Sequence, residues 1–231
     1  YCYIDKTALI YQMAKTGSYY FLSRPRRFGK SLLLSTLEAY FQGKKELFEG
    51  LAIKKLEKEW LTYPILHIDL NTEKYDTPAS LENKLNRVLV EWEKMYGAEP
   101  AETSLAMRFE GIIGRACEKE GQSVVILVDE YDKPMLQAIG NDVLQESFRN
   151  TLKAFYGALK SKDGCIRFAM LTGVTKFGKV SVFSDLNNLE DISMRQQYVE
   201  ICGISERELY ENFETELHEF ADEQGLTYDG I

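Results

Sequence analysis

Residues 24–31, Arg-Pro-Arg-Arg-Phe-Gly-Lys-Ser, carry side chains suited to binding phosphate. Glycine beside lysine lets backbone N–H groups approach phosphate oxygens, the lysine reaches the terminal phosphates, and the serine hydroxyl ligates Mg²⁺. The pattern Gly-x-x-x-x-Gly-Lys-Ser/Thr is met except at its first position, where Arg24 stands in place of glycine. The loop from Arg24 to Ser31 is therefore predicted to bind a nucleoside triphosphate, with ATP and Mg²⁺ as the expected ligands.

A second chemical group, Asp129 and Glu130, follows the apolar run Val124–Val128. Asp129 is expected to orient Mg²⁺ or its water, and Glu130 to act as general base toward an attacking water. Such a pair alone is more typical of a solvated strand end or a helix cap, but the upstream loop favours catalysis. Thr172 ends another apolar run, and two interpretations remain open for it: a hydrogen bond to the attacking water or γ-phosphate, or a simple strand terminus.

Alternating strand-like and helix-like segments are expected to position these residues. Helical patterns are predicted at residues 5–16, 30–42, 79–96, 104–120 and 142–162, and a capping-box pattern opens another helix at Ser205. Strands are predicted at Tyr19–Leu22, Ile65–Leu70, Val124–Val128 and Ile166–Leu171, with a fifth at Tyr198–Cys202. The fold class indicated is an open parallel α/β sheet of the P-loop NTPase type, with five strands in the order 5-1-4-3-2.

Composition excludes several classes of function. The 231 residues are 45% hydrophobic with a net charge of −8, which argues against a large nucleic-acid surface on this chain. Four scattered cysteines are expected to be reduced thiols, and two isolated histidines predict no structural metal. No apolar run approaches the roughly 20 residues of a membrane span. A cytoplasmic protein is expected.

The residues resemble a known group, the AAA-ATPase-like family of bacterial proteins, which are typically fused to a PD-(D/E)xK nuclease-like domain. The stretches that carry the resemblance span nearly the whole chain: residues 3–7 (YIDKT), 24–32 (RPRRFGKSL), 127–134 (LVDEYDKP), 171–177 (LTGVTKF) and 183–189 (FSDLNNL). An arginine-rich phosphate loop that lacks its first glycine is usual in this family. The expected nucleotide-contacting residues are Arg26, Arg27, Phe28, Gly29, Lys30, Ser31 and Leu32.

The resemblance also implies a domain organisation. Residues 1–204 would form the ATPase core, and residues 205–231 would begin a helical lid. The chain starts without Met, so a piece of a longer protein is expected, with a nuclease-like region beyond Ile231 through which nucleic acid would be a partner. Asp5-Lys6-Thr7 would either lie near the nucleotide or merely cap a helix.

Three functions remain open at this stage. The first is an ATPase that couples nucleotide state to a partner or fused effector, in a homo-oligomer whose neighbouring subunit supplies an arginine such as Arg195. The second is a regulatory module that binds nucleotide and hydrolyses it slowly or not at all, with the polar segment 173–193 as a switch. The third is a small-molecule kinase, which the carboxylate pair disfavours.

Overall fold

The computed structural model describes residues 2–176, 182–184, 186 and 188–225. The strands are β1 (Tyr19–Ser23), β2 (Ile65–Asp69), β3 (Val124–Asp129), β4 (Ile166–Gly173) and β5 (Glu190–Asp191). The helices of the described residues are α1 (Thr7–Thr16), α2 (Lys30–Phe41), α3 (Ala52–Leu56), α4 (Pro78–Tyr96), α5 (Leu105–Glu120), α6 (Lys133–Gln137), α7 (Asp142–Ser161), α8 (Glu206–Asn212) and α9 (Glu214–Gln224).

The five strands form one parallel sheet in the order β2-β3-β4-β1-β5. This order is the predicted one read from the opposite edge, so the predicted fold class is confirmed. Because the strands are parallel, their carboxyl ends lie at one edge of the sheet. The phosphate loop after β1 and the carboxylates at the end of β3 therefore flank the end of β4, at the edge where open α/β sheets bind ligands.

Helices cover both faces of the sheet. Alternate side chains of β3 point to opposite faces: Val124, Ile126 and Val128 pack with α4, α5 and α7, whereas Val125 and Leu127 pack with α1, α2 and α3. All six residues of β3 are buried, as its continuous apolar run predicted. The resulting three-layer arrangement fixes the backbone on which the site is built.

The predicted fifth strand at Tyr198–Cys202 is wrong. The fifth strand is the two-residue β5, whose Glu190 and Asp191 pair with Tyr20 and Phe21 of β1. Residues Gln196–Tyr198 instead form a turn of 3₁₀-helix. The apolar run near residue 200 has another cause, because its members Tyr198, Ile201 and Cys202 pack against the sheet face that carries α2. The actual edge strand consists of two acidic residues and therefore has no hydrophobic pattern that could predict it.

One helix N-terminus is fixed by the side chains that the sequence indicated, and Asp5 lies just before the N-cap of another, Lys6. Ser205 Oγ accepts a hydrogen bond from Glu208 N, and Glu208 Oε2 accepts one from Ser205 N, which confirms the capping box. The Asp5 carboxylate accepts hydrogen bonds from Thr7 N at 2.9 Å and from Ala52 N at 2.7 Å. Asp5 thus joins the start of α1 to α3. No helix in the described residues is long and apolar enough to cross a membrane.

Glu57 provides a pH-dependent contribution to stability. Burial raises the pKa of Glu57, but hydrogen bonds from Tyr40, Lys15 and two backbone N–H groups outweigh burial and lower the pKa from 4.5 to about 2. A lowered pKa in the folded state stabilises the protein above the unfolded-state pKa, and this stabilisation is lost as the pH falls from about 4.5 to about 2. The shift corresponds to about 3 kcal/mol.

We therefore expect Glu57→Gln to lower the free energy of unfolding by about 2–3 kcal/mol at pH 7 and by roughly half that or less at pH 3. Urea denaturation of both proteins at the two pH values measures this difference. The exposed Glu118 on α5 offers a control, because Glu118→Gln should change stability little at either pH. An equal loss at pH 7 and pH 3 in Glu57→Gln would contradict the assignment.

Candidate nucleotide-binding site

The phosphate loop runs from the end of β1 to the start of α2. Its backbone is left-handed at Arg27, with φ 66°, and at Gly29, with φ 81°. A Cβ added to Gly29 would meet only a backbone nitrogen 4.0 Å away, so glycine is required there by conformation rather than by lack of space. Gly29 directly precedes the first residue of α2, so the free N–H groups of the helix start face the carboxyl edge of the sheet.

Lys30 lies inside the site rather than on its rim. The side chain is only 4% exposed, and its Nζ donates to the carbonyl oxygens of Arg24 at 3.0 Å and Pro25 at 3.2 Å. Its third neighbour is Glu130, whose Oε1 lies 3.3 Å away. Lys30 therefore connects the end of the phosphate loop to the backbone at its start, and connects the loop to the end of β3.

Ser31 and Asp129 meet across the sheet edge. Ser31 Oγ donates to Asp129 Oδ2 at 2.5 Å, and Thr172 Oγ1 donates to Asp129 Oδ1 at 2.7 Å. One hydroxyl from α2 and one from the end of β4 thus orient both oxygens of the same carboxylate. Thr172 is fully buried and does not line the cavity described below, so its contact in this structure is with Asp129. A contact of Thr172 with the attacking water or γ-phosphate remains a prediction.

Glu130 has an unusual backbone and one unused oxygen. Its φ of 56° is left-handed, a conformation that costs a non-glycine residue of order 1–3 kcal/mol and is most often kept at functional sites. The side chain is buried, and no group among the described residues donates a hydrogen bond to its Oε2. This oxygen is free to accept a hydrogen bond from a bound molecule.

Lys30, Ser31 and Glu130 line a cavity of about 470 Å³, whereas Asp129 and Thr172 do not. Its walls carry four cations and one carboxylate, a balance that favours an anionic ligand. Besides Glu130, the lining residues are Arg26, Arg27, Gly29, Lys30, Ser31, Leu32, Asn71 and Lys133. Sequence reasoning missed the last two. Asn71 comes soon after β2, at the same sheet edge as Asp129, and Lys133 is three residues after Glu130. A comparison of the residues that follow neighbouring strands would therefore have indicated both.

Arg24 does not line this cavity, although it is the first residue of the loop predicted to bind the nucleotide. Its guanidinium donates to the carbonyl oxygens of Ser193 and Val199, and its backbone N–H donates to Gly173 O at 3.1 Å. The side chain at the position of the missing glycine therefore attaches the loop to the segment after β5. Arg195 likewise lies outside the cavity, and its guanidinium pairs with Glu190 at 2.7 Å.

A second cavity, of about 250 Å³, lies on the other side of the phosphate loop. Phe28 and Leu32 contribute exposed apolar surface to it, and Arg27, Gly29 and Leu32 line both cavities. Its remaining walls come from the N-terminal segment, from α1 and α2, and from the segment before α8: Cys2, Tyr3, Ile4, Lys6, Ile10, Leu33, Thr36, Ile201, Cys202, Gly203 and Ile204.

The three residues Asp5-Lys6-Thr7 divide between two roles. Asp5 and Thr7 are structural, because both hydrogen-bond the backbone at the start of α3. Lys6 instead lines the second cavity, where its ammonium forms an ion pair with Glu208 of α8. The segment thus caps a helix and also contributes a wall of the cavity next to the phosphate loop.

Asp132 connects the end of β3 to the segment after β4. The residue is fully buried, and its carboxylate accepts hydrogen bonds from the backbone N–H groups of Val174 and Thr175, and from the Thr175 hydroxyl at 2.9 Å. A Cβ on Gly173 would lie 2.9 Å from this carboxylate, so glycine is needed at that position. Within the expected switch segment 173–193, residues 177–181, 185 and 187 lie outside the described residues.

Comparison with known proteins identifies the family of this chain. The family model described as "Predicted AAA-ATPase" matches residues 1–183. Over 217 residues the chain is 40% identical to "Uncharacterized protein in vnfD 5'region" of Azotobacter chroococcum mcd 1, an alignment that covers 94% of this chain and 42% of that protein. The chain thus spans less than half the length of this relative. No solved structure matches the chain significantly. With a family model that covers most of its length, the chain belongs to the predicted AAA-ATPase family.

Proposed function

We propose that this chain is an Mg²⁺-dependent ATP-binding and ATP-hydrolysing domain that couples its nucleotide state to a partner or to a fused effector. The observation that carries the proposal is the contact between Ser31 and Asp129, 2.5 Å apart beside Lys30. A hydroxyl, a carboxylate and a lysine at the start of a helix are the parts that phosphoryl transfer from a nucleotide requires.

The triphosphate is proposed to occupy the 470 Å³ cavity. Backbone N–H groups around Gly29 and the start of α2 would bind its β- and γ-phosphate oxygens, and the helix dipole favours negative charge there. The cavity has an excess of cations, which would offset the charge of the phosphates. Lys30 already lies among oxygen atoms at about 3 Å, so bound phosphate would exchange these acceptors for stronger ones.

The base is proposed to occupy the second cavity. Its walls are largely apolar, with Phe28 and Ile204 exposed, and a flat aromatic base gains free energy from leaving water against such surface. Arg27, Gly29 and Leu32 of the loop region line both cavities, and we propose that one molecule extends from one to the other. We place the start of the helical lid at residue 205, where Glu208 of α8 pairs with Lys6.

The oxygen donors of Ser31 and Asp129 fit a magnesium ion. Mg²⁺ prefers hard oxygen ligands and is commonly held by one or two carboxylates together with substrate phosphates and water, rather than by a full set of protein ligands. In the described residues there is no cluster of three or more His, Cys, Asp or Glu side chains that could hold a metal by itself. When bound, Mg²⁺ would polarise the phosphates and offset their charge.

Glu130 is proposed as the general base. As the water oxygen bonds to the γ-phosphorus, the bond from that phosphorus to the β,γ-bridging oxygen breaks, so that ADP and phosphate form. The proton lost by the water passes to the unused Oε2 of Glu130 and from there to solvent. Thr172 and Ser31 would keep Asp129 oriented during this step.

One contact favours a second candidate function, a nucleotide-binding regulatory module with slow or no hydrolysis. Glu130 Oε1 lies 3.3 Å from Lys30 Nζ, so the proposed base pairs with the proposed phosphate ligand. If this ion pair persists when nucleotide is bound, the carboxylate is a weaker base. Binding would then be normal while phosphate release stayed slow.

The test of binding is a calorimetric titration of the protein with ATP, ADP and AMP, each with Mg²⁺ and with EDTA. The proposed site predicts that ATP and ADP bind and that AMP binds at least about 10-fold more weakly, because the β-phosphate makes the charged hydrogen bonds. Removing Mg²⁺ should weaken ATP binding. Equal affinity for ATP and AMP, or no binding of any of the three, would contradict the proposal.

Arg27 offers a prediction that separates binding from stability. Its left-handed backbone costs about 1 kcal/mol, which glycine would not incur. Glycine also makes the unfolded chain more flexible, so we expect Arg27→Gly to change the free energy of unfolding by less than about 1 kcal/mol. Because Arg27 lines both cavities, loss of its positive charge should weaken ATP binding about 10-fold.

Urea denaturation and ATP titration of Arg27→Gly measure the two effects. The neighbouring Arg26 serves as the comparison, because it lines only the 470 Å³ cavity, here called the phosphate cavity, and has a negative φ. Arg26→Ala should weaken ATP binding without relieving backbone strain. A loss of several kcal/mol of stability in Arg27→Gly would contradict the backbone argument, and unchanged ATP binding would show that the residue does not face nucleotide.

A further inference from the structure

Lys133 lies in the wall of the phosphate cavity opposite the phosphate loop. It is the first residue of α6, and its backbone N–H donates to Glu130 O at 3.0 Å, which closes a tight turn directly after the proposed base. The position of Lys133 is therefore fixed relative to Glu130 by the backbone itself.

Among the described residues, the ammonium group of Lys133 has a hydrogen-bond partner but no negatively charged partner. Its Nζ donates to Asn71 Oδ1 at 3.1 Å, and Asn71 follows β2, the strand next to β3. Within the described part of the chain, Lys133 forms no ion pair, whereas Lys30 on the other wall already contacts Glu130. An amide oxygen orients the lysine without offsetting its charge, and Lys133, a half-buried residue, lines the cavity.

We propose that Lys133, oriented by Asn71, is the cation that contacts the terminal phosphate of a bound nucleoside triphosphate from within the same chain. The inference rests on the proposed nucleotide site and names a further residue of it. A second cation opposite Lys30 would stabilise the negative charge on the terminal phosphoryl oxygens and on the bridging oxygen. This assigns to Lys133 the task that an arginine from a neighbouring subunit was expected to perform.

Binding measurements test this proposal without requiring hydrolysis. The dissociation constants for ADP and for the non-hydrolysable β,γ-imido analogue of ATP are measured with Mg²⁺ for the wild type, Lys133→Ala and Lys133→Arg. Lys133→Ala should weaken binding of the analogue at least about 10-fold and change ADP binding less than about three-fold, because ADP lacks the contacted phosphate. Lys133→Arg should recover most of the affinity for the analogue.

Turnover provides the second measurement in the same proteins. Lys133→Ala should lower kcat for ATP about 100-fold, in the range found when one preorganised donor to the reacting group is removed. Asn71→Ala should lower kcat less, since the lysine is kept but loses its orienting partner. The matched control is Lys84→Ala, because Lys84 Nζ donates to Thr72 Oγ1 at 2.9 Å next to Asn71 but does not line the cavity.

The outcomes separate this inference from the proposed function. If the wild type binds the analogue and ADP but Lys133→Ala binds both as the wild type does, the role of Lys133 is wrong while the nucleotide site stands. An equal loss of ADP and analogue binding in Lys133→Ala would indicate a structural role and also overturn it. If the wild type binds neither ligand, the proposed function fails and the inference fails with it.

Discussion

Replacement of Glu130 by glutamine is expected to reduce phosphate release from ATP by about 10²- to 10⁴-fold while leaving the affinity for ATP within a few-fold of the wild type. Glutamine keeps the size of the side chain but cannot accept the proton of the attacking water. The phosphate-binding groups around Gly29 and Lys30 are unchanged in this variant, so binding should survive.

The chemical state of the bound nucleotide measures this effect directly. After incubation with ATP and Mg²⁺, the Glu130→Gln protein should retain ATP, whereas the wild type should contain ADP. The control is Glu118, an exposed glutamate on α5 that lines neither cavity, and Glu118→Gln should behave as the wild type. Wild-type turnover in Glu130→Gln would show that Glu130 is not the base.

Replacement of Lys30 by alanine is expected to weaken ATP binding by about 10- to 150-fold, and turnover should fall with it. Lys30 is 4% exposed and is the cation nearest to the start of α2, where the terminal phosphates are proposed to lie. A buried charged hydrogen bond to phosphate contributes about 1.5–3 kcal/mol, and its loss corresponds to roughly this change in affinity. Calorimetric titration with ATP measures the loss.

Stability must be measured in the same variant, because Lys30→Ala leaves Glu130 buried without its ion-pair partner. A thermal melt that stays cooperative shows that the fold persists. Lys45→Ala removes an exposed lysine that lines neither cavity, and it should change neither binding nor melting. Binding of ATP to Lys30→Ala with wild-type affinity would place the phosphates somewhere other than the loop.

The sheet was predictable from sequence because its central strands are long apolar runs. A strand covered by helices on both faces must be apolar throughout, as at Val124–Val128, and this signal is independent of distant contacts. The two-residue β5 has no such signal, since its Glu190 and Asp191 pair with β1 only through the backbone. The apolar residues near Tyr198 were therefore mistaken for the missing strand.

The phosphate loop and the carboxylates were predictable because their chemistry depends on residue types at fixed spacing. The directions of individual side chains were not predictable in this way. Arg24 turns toward Ser193 rather than the cavity, and Thr172 points at Asp129, because each forms contacts with residues distant in sequence. Lys133 could have been indicated by its place three residues after Glu130, but its hydrogen bond to Asn71, about 60 positions earlier in the printed sequence, could not.

Phosphate release from ATP by the wild-type protein, measured with Mg²⁺ and with EDTA, tests whether this site hydrolyses ATP. The contacts among Lys30, Ser31, Asp129 and Glu130 predict steady release that requires Mg²⁺. Tight binding of ATP without release would contradict the hydrolytic role and support the regulatory module, and neither binding nor release would contradict the nucleotide site itself.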